Sequence, residues 1–526
     1  MNQLLKKLRS PISIILIAGL FLFIIGNNNF TLYDNSETTY AAVAKEIVNT
    51  GDGLTMHLNN VNWYIHPPLY FWIASTYCEI FGWNEFNLRL PEALGGILGM
   101  IAIFLIAKLA YSRKTALYSA LIMGTSMSYF VISRLAIFDT ILNAFILLAV
   151  YFFLRAYKEP SKKGKFFFLF ALSCFFGVLT KGPIGLVHPC AAIVIFLLIK
   201  RDIKFLFDWK VILNFGFFLL ITSPWYAHQL IVNGEPFFNK ALKDYTWYRF
   251  FGVIENQPGP WWYYFPMLIA FVPWTFFLPT IIKDFFVKEE NKEKNDIKLF
   301  IWVFMIFTFL FFSLAGTKLP SYIFSLFPFA AILIADQFTS FKNKKTIQLS
   351  TISTVIFFSL LFIYGFLLKL PAPYTAERPL IATFFLIPLI GIIVFSYLLL
   401  KEKVDKAIAS ITVATIIFCM FLAFIFFPRL DLYKDSKLFI DTIQKQQITE
   451  YSIGAYRHNS PYMYYYQGQR IQNTGSLQDI EGVLKQEKPY FLMTRNEHVT
   501  SIMDYFKERA EVLSKHPLFS TVVIYK

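Results

Sequence analysis

The chain has 526 residues, of which 56% are hydrophobic and 19% aromatic, while only 16% are charged. Soluble domains carry about 25% charged residues, so this composition excludes an ordinary soluble protein and indicates a polytopic protein that has the lipid bilayer as a partner. The formal net charge of +15 is explained by lysine-rich loops that orient membrane spans, and we expect no nucleic-acid partner.

The apolar segments predict the secondary structure, because a membrane span needs about 20 apolar residues. The segment 67–82 is shorter and contains Glu79, which favours an interfacial helix. The first apolar run lacks a small-residue cleavage site, so we predict a retained span rather than a signal peptide. We predict an α-helical polytopic protein with about 13 spans, near 11–28, 91–111, 115–133, 138–155, 166–180, 184–200, 211–228, 262–282, 299–316, 320–339, 349–369, 379–400 and 407–427.

The loops predict the orientation, because cytoplasmic loops are rich in Lys and Arg. Basic loops such as "RAYKEPSKKGK" and "KDFFVKEENKEKNDIK" alternate with loops that contain few cations. We therefore predict an integral plasma (inner) membrane protein with a cytoplasmic N-terminus. The outer segments are then 28–90, 229–262 and everything after 428.

The C-terminal segment differs in composition from the rest of the chain. Residues 428–526 are polar and mixed in charge, with strand-like runs "YSIGAY", "PYFLMT" and "STVVIY" and helical stretches near 476–486 and 497–509. We predict a membrane domain over 1–427 and a small extracytoplasmic α/β domain over 428–526.

Three acidic residues lie on the predicted outer side. Asp34 and Glu37 begin a helix in "LYDNSETTYAAVAKEI", and Asp139 precedes the fourth span in "SRLAIFDTIL". Each could cap a helix N-terminus. The alternative is catalysis, because outer carboxylates can serve as general bases for an acceptor hydroxyl and ionisable groups at membrane depth are expensive.

Cations also occur in these outer loops, which are otherwise poor in them. A single Lys at the end of a span usually extends to the interface, but several cations on one side favour binding of an anion such as phosphate. The candidates are His66, Lys181, Arg249 and Lys318, with Tyr322 nearby.

Aromatic residues are dense in "QPGPWWYYFP" (257–266). An interfacial belt explains them, and stacking against sugar rings is the alternative; the sequence does not separate the two. As candidates for the lining of a substrate cavity we take Tyr40, Tyr64, Trp261 and Tyr263.

Five motifs in order resemble a known family over nearly the whole chain. They are "ETTYAAVAKEIVNTGDGLTMHLNNVNWYIHPPLYFW", "AIFDTILNAF", "GVLTKGPIGLVHP", "PGPWWYYFPMLIAFVPW" and "FFSLAGTKLPSYIFSLFP". They are similar to motifs of the GT-C membrane glycosyltransferases of the protein O-mannosyltransferase and aminoarabinose transferase type (glycosyltransferase family 39-like).

The resemblance implies a GT-C catalytic domain over 1–427. Such enzymes move a sugar from a polyprenyl-phosphate donor to a hydroxyl or phosphate of a lipid A-like lipid, a protein or a glycan outside the cytoplasm, here with inversion. It places Glu37 and Asp139 at catalytic acids of the family, and Asp34 lies two residues before the family's other first-loop acid, which it could replace. It places Lys181, Arg249, Lys318 and Tyr322 at the donor phosphate, where His66 is a further candidate.

This sequence departs from the family at several positions. Ser36 replaces the acid that precedes Glu37, Thr39 replaces an Arg, Ile65 and His66 replace Glu and Lys, and Thr246 replaces a His. The missing Glu and His would be metal ligands. We therefore expect no metal site and no cofactor, with a divalent metal left as an open alternative.

Two other functions fit parts of the pattern. A transporter or flippase for lipid-linked sugars would explain the spans and outer cations, but the charged groups are peripheral, whereas transport sites usually lie near the midplane. A binding module anchored by the spans would explain the C-terminal segment, but anchoring does not require 13 spans.

Overall fold

The structure is a computed structural model that describes residues 10–33, 36–287, 289–370, 374–448, 450–457, 465, 472–484, 488–516 and 519–525. Asp34 lies outside the described residues. The first half of the membrane domain contains α1 (Pro11–Ile24), α2 (Glu37–Thr50), β1 (His57–Leu58), β2 (Val61–Asn62), α3 (Leu69–Phe81), α4 (Glu85–Lys108), α5 (Arg113–Gly124), α6 (Met127–Ile132), α7 (Asp139–Lys158), α8 (Lys163–Lys181) and α9 (Ile184–Ile199).

The second half of the membrane domain begins with a long helix that is kinked at Gly234 and continues to Phe251. The apolar helices of this half of the domain are α10 (Trp209–Phe237), α11 (Tyr264–Phe271), α12 (Trp274–Phe285), α13 (Lys292–Leu314), α14 (Phe327–Ser340), α15 (Lys344–Leu367), α16 (Arg378–Leu400) and α17 (Val404–Phe421). The predicted outer loop 229–262 is therefore largely helical up to Phe251.

Among the described residues, nine helices are long and apolar enough to cross a membrane. The other predicted spans correspond to shorter or interrupted helices. α1 and α9 are short, α5 and α6 are separated by a break, and α11 and α12 meet at 110°. The α-helical polytopic fold is confirmed, and the broken segments explain why hydropathy alone gives a larger number of full spans.

α7 packs along both α4 and α8, and these three helices position the polar residues described below. α4 begins at Glu85 because the side chain of Asn84 accepts a hydrogen bond from the backbone N–H of Asn87 at 2.9 Å, as an N-cap does. α8 ends at Lys181, where Gly182 has φ +83°, a backbone conformation that favours glycine.

The segment between α1 and α4 forms a cap on one end of the bundle, which we call the loop end. It consists of α2, the two-stranded hairpin β1–β2 and the 13-residue helix α3. At 1.5 Å per residue α3 is about 20 Å long, too short to cross a bilayer. The aromatic rings of Tyr40, Phe71 and Phe138 contact one another beneath this cap.

The C-terminal segment contains a mixed five-stranded sheet with the order β4-β3-β5-β7-β6. The central strand β5 is parallel to β3 and antiparallel to β7. The three predicted strands and both predicted helices are present, whereas β4, β6 and α18 lacked a clear sequence signal. The elements are α18 (Asp435–Lys445), β3 (Ser452–Tyr456), β4 (Gln472–Thr474), α19 (Leu477–Val483), β5 (Tyr490–Arg495), α20 (Val499–Phe506), β6 (Ala510–Lys515) and β7 (Phe519–Ile524).

Candidate active site

A cavity of about 460 Å³ opens at the loop end of the bundle. Its lining combines a few polar side chains with many aromatic and aliphatic ones, as small-molecule sites do. Six of the residues singled out from the sequence contribute to this lining: Tyr64, His66, Asp139, Lys181, Arg249 and Tyr322.

Asp139 and Lys181 form an ion pair on the wall of this cavity. Lys181 Nζ donates a hydrogen bond to Asp139 Oδ1, and the two side chains are 21% and 15% exposed. Asp139 is the first residue of α7 and Lys181 is the last residue of α8. The packing of these antiparallel neighbours therefore brings the two charged groups to the same end of the bundle.

The N-terminus of α7 is capped by a neighbouring helix. Glu92, in α4, accepts hydrogen bonds from the backbone N–H groups of Thr140 at 2.6 Å and Ile141 at 3.3 Å. The first N–H groups of a helix have no partner within the helix, and here Glu92 supplies one. Capping therefore does not occupy Asp139, whose carboxylate contacts Lys181 at the cavity.

His66 contributes a neutral ring to the cavity. Burial lowers the pKa of His66 well below its ordinary value, and the charges of Lys181 and Arg249 lower it further. The centres of the His66 and Phe138 rings are 4.8 Å apart. The backbone of Phe138 has a strained positive φ of 59°. The lowered pKa of His66 favours a neutral imidazole near pH 7, and the place of His66 at a donor phosphate stays a prediction.

Arg249 is held at the cavity by Tyr322. Its Nε donates to the Tyr322 hydroxyl, and its guanidinium lies 5.4 Å from the centre of the Tyr245 ring. The two chain segments are joined where the Gly316 N–H donates to Phe250 O at 2.6 Å. A Cβ atom at position 316 would lie 2.1 Å from Gly252 O, so this close approach requires glycine.

Glu37 lies outside the cavity lining and is fully buried. Its Oε1 accepts from Arg89 Nε and the Ala136 N–H, and its Oε2 accepts from Arg89 Nη2 and the Tyr33 N–H, all at 2.7–2.9 Å. A carboxylate has about four acceptor positions, and each is occupied. This geometry argues against the base role expected for Glu37 and assigns it to holding the cap.

Arg89 extends the same buried network. Its Nη1 donates to the carbonyl oxygens of Asn27 at 2.8 Å and Phe30 at 3.0 Å, and its Nη2 donates to Thr31 O at 3.1 Å. The Glu37–Arg89 ion pair thus connects α2 and α4 to the chain that leaves α1. Through Ala136 it also fixes the loop that carries Asp139.

Lys318 also lies outside the cavity lining, so its expected contact with a donor phosphate stays a prediction. It is 4% exposed, and Nζ donates to the carbonyl oxygens of Phe312 at 2.9 Å and Ser313 at 2.6 Å. The last carbonyls of a helix have no partner within it, so Lys318 caps the end of α13. Burial lowers the pKa of Lys318.

Of the four aromatic candidates, only Tyr64 lines the cavity. Its hydroxyl donates to Asn233 Oδ1 at 3.0 Å. Tyr40 lies behind His66, with its hydroxyl 3.5 Å from His66 Nε2. Trp261 is 68% exposed and Tyr263 is half-buried, and neither contributes to the lining. The exposure of Trp261 favours the interfacial-belt interpretation.

The cavity lacks the Glu and the His that would be metal ligands in the family that the sequence resembles. Ile65 and Thr246 line it at the positions where the resemblance would put Glu and His, and an aliphatic side chain cannot bind a metal. A cluster of Asp284, Glu289 and Asp336 lies at the far end of α14. Three lysines neutralise that cluster at 2.6–3.7 Å: Lys294, Lys298 and Lys342.

Arg89 and Glu92 were missed in the sequence analysis, although "NLRLPEALGG" carried a signal for them. Two ionisable residues inside an apolar helix are expensive unless they are paired or functional. That signal indicates that both have partners, but it cannot identify them, because the partners are 52 and 48 residues away in sequence.

Comparisons with known proteins agree with this fold and site. Residues 65–228 match the family model described as dolichyl-phosphate-mannose-protein mannosyltransferase. A protein of Aquifex aeolicus, named only as uncharacterized, is 28% identical over 85% of this chain and 86% of its own length. An undecaprenyl phosphate-alpha-4-amino-4-deoxy-L-arabinose arabinosyl transferase of Enterobacter sp. is 30% identical over 62% of this chain. The chain spans 59% of that transferase, less than two thirds of its length.

The fold is also that of a solved structure. ArnT from Cupriavidus metallidurans, bound to undecaprenyl phosphate, superimposes with a TM-score of 0.83 over 97% of both chains, at 19% identity. The shared bundle is that of a multi-pass membrane protein with the GT-C fold, and the charged cavity opens at its loop end. Over part of its length the chain is similar in sequence to the GT-C membrane glycosyltransferases of the protein O-mannosyltransferase and aminoarabinose transferase type, and it shares the fold of ArnT. These comparisons give no support to the transporter alternative.

Proposed function

We propose that the protein transfers a sugar from a polyprenyl-phosphate carrier to an acceptor on the extracytoplasmic side, with inversion at the anomeric carbon. The observation that carries this proposal is the convergence of Asp139, Lys181 and Arg249 on one cavity that is otherwise lined by apolar side chains. The apolar lining suits a polyprenyl chain, and the two cations suit its phosphate.

The charges of the cavity suit the chemistry of the transfer. Lys181 and Arg249 supply two positive charges, and Asp139 supplies one negative charge. The phosphodiester of a donor carries one negative charge, and the released carrier phosphate carries up to one more. A preorganised excess of positive charge therefore stabilises the leaving group as the bond to the sugar breaks.

In the proposed reaction the acceptor oxygen attacks the anomeric carbon from the face opposite the phosphate. The bond between that carbon and the phosphate oxygen breaks, and its electron pair stays on the carrier phosphate. When the acceptor is a hydroxyl, Asp139 takes its proton. Lys181 moves from Asp139 toward the phosphate or bridges the two, and Tyr322 keeps Arg249 in place.

A donor panel tests this proposal. The purified full-length protein is incubated with several undecaprenyl-phosphate sugars and a mixture of lipid, glycan and peptide acceptors, and release of undecaprenyl phosphate is measured. We expect one donor class to be consumed by the wild type and to remain intact with Asp139→Asn and Lys181→Met. Consumption of no donor, or equal consumption by the wild type and both variants, contradicts the proposal.

We further propose an orientation in the plasma (inner) membrane with a cytoplasmic N-terminus and an extracytoplasmic C-terminal domain over 428–526. The basic loops between spans support this orientation. In right-side-out vesicles, a membrane-impermeant maleimide should label Glu511→Cys at once and Lys162→Cys only after permeabilisation. The reverse labelling pattern would mean that the protein has the opposite orientation in the membrane.

A further inference from the structure

Below the Asp139–Lys181 pair, two buried polar side chains line the cavity with hydrogen-bonding atoms that the protein does not use. Asn143 is 2% exposed and His188 is 1% exposed. They lie on α7 and α9, which pack against each other. Buried polar atoms without a hydrogen bond cost about 1–3 kcal/mol each, so their position beside an open cavity requires an explanation.

Neither Nδ2 nor Oδ1 of Asn143 makes a hydrogen bond of ordinary geometry within the protein. Its polar neighbour is the hydroxyl of Tyr129, which already donates to Gly96 O at 3.0 Å. That hydroxyl has no second proton to give. The Tyr129 oxygen can therefore accept a hydrogen bond from Asn143 Nδ2, which leaves Asn143 Oδ1 as the buried acceptor without a partner.

His188 offers a second acceptor. The Thr308 hydroxyl donates to Phe304 O at 2.7 Å, so its oxygen accepts from His188 Nε2, which lies 2.8 Å away. In the neutral imidazole this assigns the proton to Nε2 and leaves Nδ1 as an acceptor. The ring is held in this orientation by stacking on Phe304 at 4.8 Å.

The distance from the charged pair suits one sugar ring. Asn143 follows Asp139 by four residues on α7, which is about 6 Å along the helix. A sugar joined to a phosphate at Lys181 and Arg249 would extend over about this distance. The other lining at this depth includes Ile146 and Phe312, which offer it no hydrogen bond.

We propose that Asn143 Oδ1 and His188 Nδ1 form a subsite that accepts hydrogen bonds from hydroxyl or amino groups on the sugar of the donor. This inference rests on the proposed function and specifies the substrate class of that same cavity. The subsite selects donors whose sugar carries N–H or O–H groups away from the anomeric carbon, and it disfavours deoxygenated ones, which would leave both acceptors unsatisfied.

The test compares Asn143→Leu and His188→Phe with the wild type. Binding is measured for bare undecaprenyl phosphate and for the undecaprenyl-phosphate sugar that the wild type consumes in the donor panel. We expect each variant to bind the bare carrier as the wild type does and to bind the sugar-bearing donor about tenfold more weakly, the effect of about one hydrogen bond. Thr415→Val is the matched control, because that buried hydroxyl bonds only to Ile411 O of its own helix at 2.8 Å.

A second measurement uses the ligand-free protein. Asn143→Leu removes a buried amide whose Oδ1 has no partner. The midpoint of thermal unfolding of this variant should therefore equal or exceed that of the wild type. A lower midpoint, an unchanged affinity for the donor, or an equal loss for carrier and donor would each overturn the subsite. If the wild type binds neither ligand, the proposed function fails together with the subsite, whereas donor binding that is unaffected by both variants removes the subsite alone.

Discussion

The carboxylate of Asp139 contacts the ammonium group of Lys181, while the helix start that Asp139 occupies is capped by Glu92 of another helix. An acid at the first turn of a helix usually stabilises that helix. Here Glu92 of α4 makes the hydrogen bonds that cap α7. The carboxylate of Asp139 is therefore free of the capping role and faces the cavity. Its substitution should therefore affect the reaction far more than the fold.

Asp139→Asn should lower the rate of transfer to a hydroxyl acceptor by about 10²–10⁴-fold, which is the usual contribution of a positioned base. Steady-state transfer assays with purified protein measure this effect. Thermal unfolding serves as the control and should show little change, because Glu92 still caps α7. A near-normal rate with a hydroxyl acceptor would remove Asp139 as the base; a phosphate acceptor needs no base and should be far less affected.

Glu37→Gln should destabilise the protein. Removal of one partner from a buried ion pair costs about 3–5 kcal/mol, and Glu37 and Arg89 are both fully buried. We expect a clear drop in the thermal midpoint in detergent, with activity lost in proportion to the unfolded fraction. A variant with an unchanged midpoint and a rate reduced by orders of magnitude would instead return Glu37 to the catalytic role that the sequence suggested.

The α-helical membrane fold could be predicted from the sequence because nine of the described helices each carry a local signal of about 20 apolar residues. The convergence of Asp139, Lys181 and Arg249 could be anticipated because all three fall in loops on one predicted side. The roles of Glu37 and Lys318 could not. Both bind groups that hydropathy does not reveal: a guanidinium far away in sequence and two backbone carbonyls of a preceding helix.

His66 should make the stability depend on pH. Burial, with Lys181 and Arg249 nearby, holds its folded-state pKa well below the ordinary value of 6.5. Between these two pKa values the unfolded chain binds more protons than the folded one, so the contribution of His66 to stability is present above about pH 6.5 and decreases as the pH falls. The loss of thermal stability from pH 7.5 to 5.5 should therefore be smaller in His66→Gln than in the wild type.

The activity of the wild type should show no step from His66 between pH 6 and 8, since the folded-state ring is neutral throughout that range. Profiles of rate against pH for the wild type and His66→Gln test this expectation. An inflection near pH 6.5 that disappears in the variant would show that the ring is protonated in the working enzyme, contrary to its buried position between two cations.

Lys181 and Lys318 provide a matched pair that separates phosphate binding from folding. Lys181 lines the cavity, whereas Lys318 is buried against the carbonyls that end α13. Lys181→Met should weaken binding of undecaprenyl phosphate by tenfold or more, since hydrogen bonds to charged groups contribute about 1.5–3 kcal/mol. Lys318→Met should leave that affinity unchanged in the folded fraction and lower the midpoint of thermal unfolding, because two buried carbonyls lose their donor.

Binding of undecaprenyl phosphate and thermal unfolding are measured on both variants. An equal loss of affinity in the two variants would place Lys318 at the phosphate after all. A loss of affinity confined to Lys318→Met would move the phosphate away from Asp139.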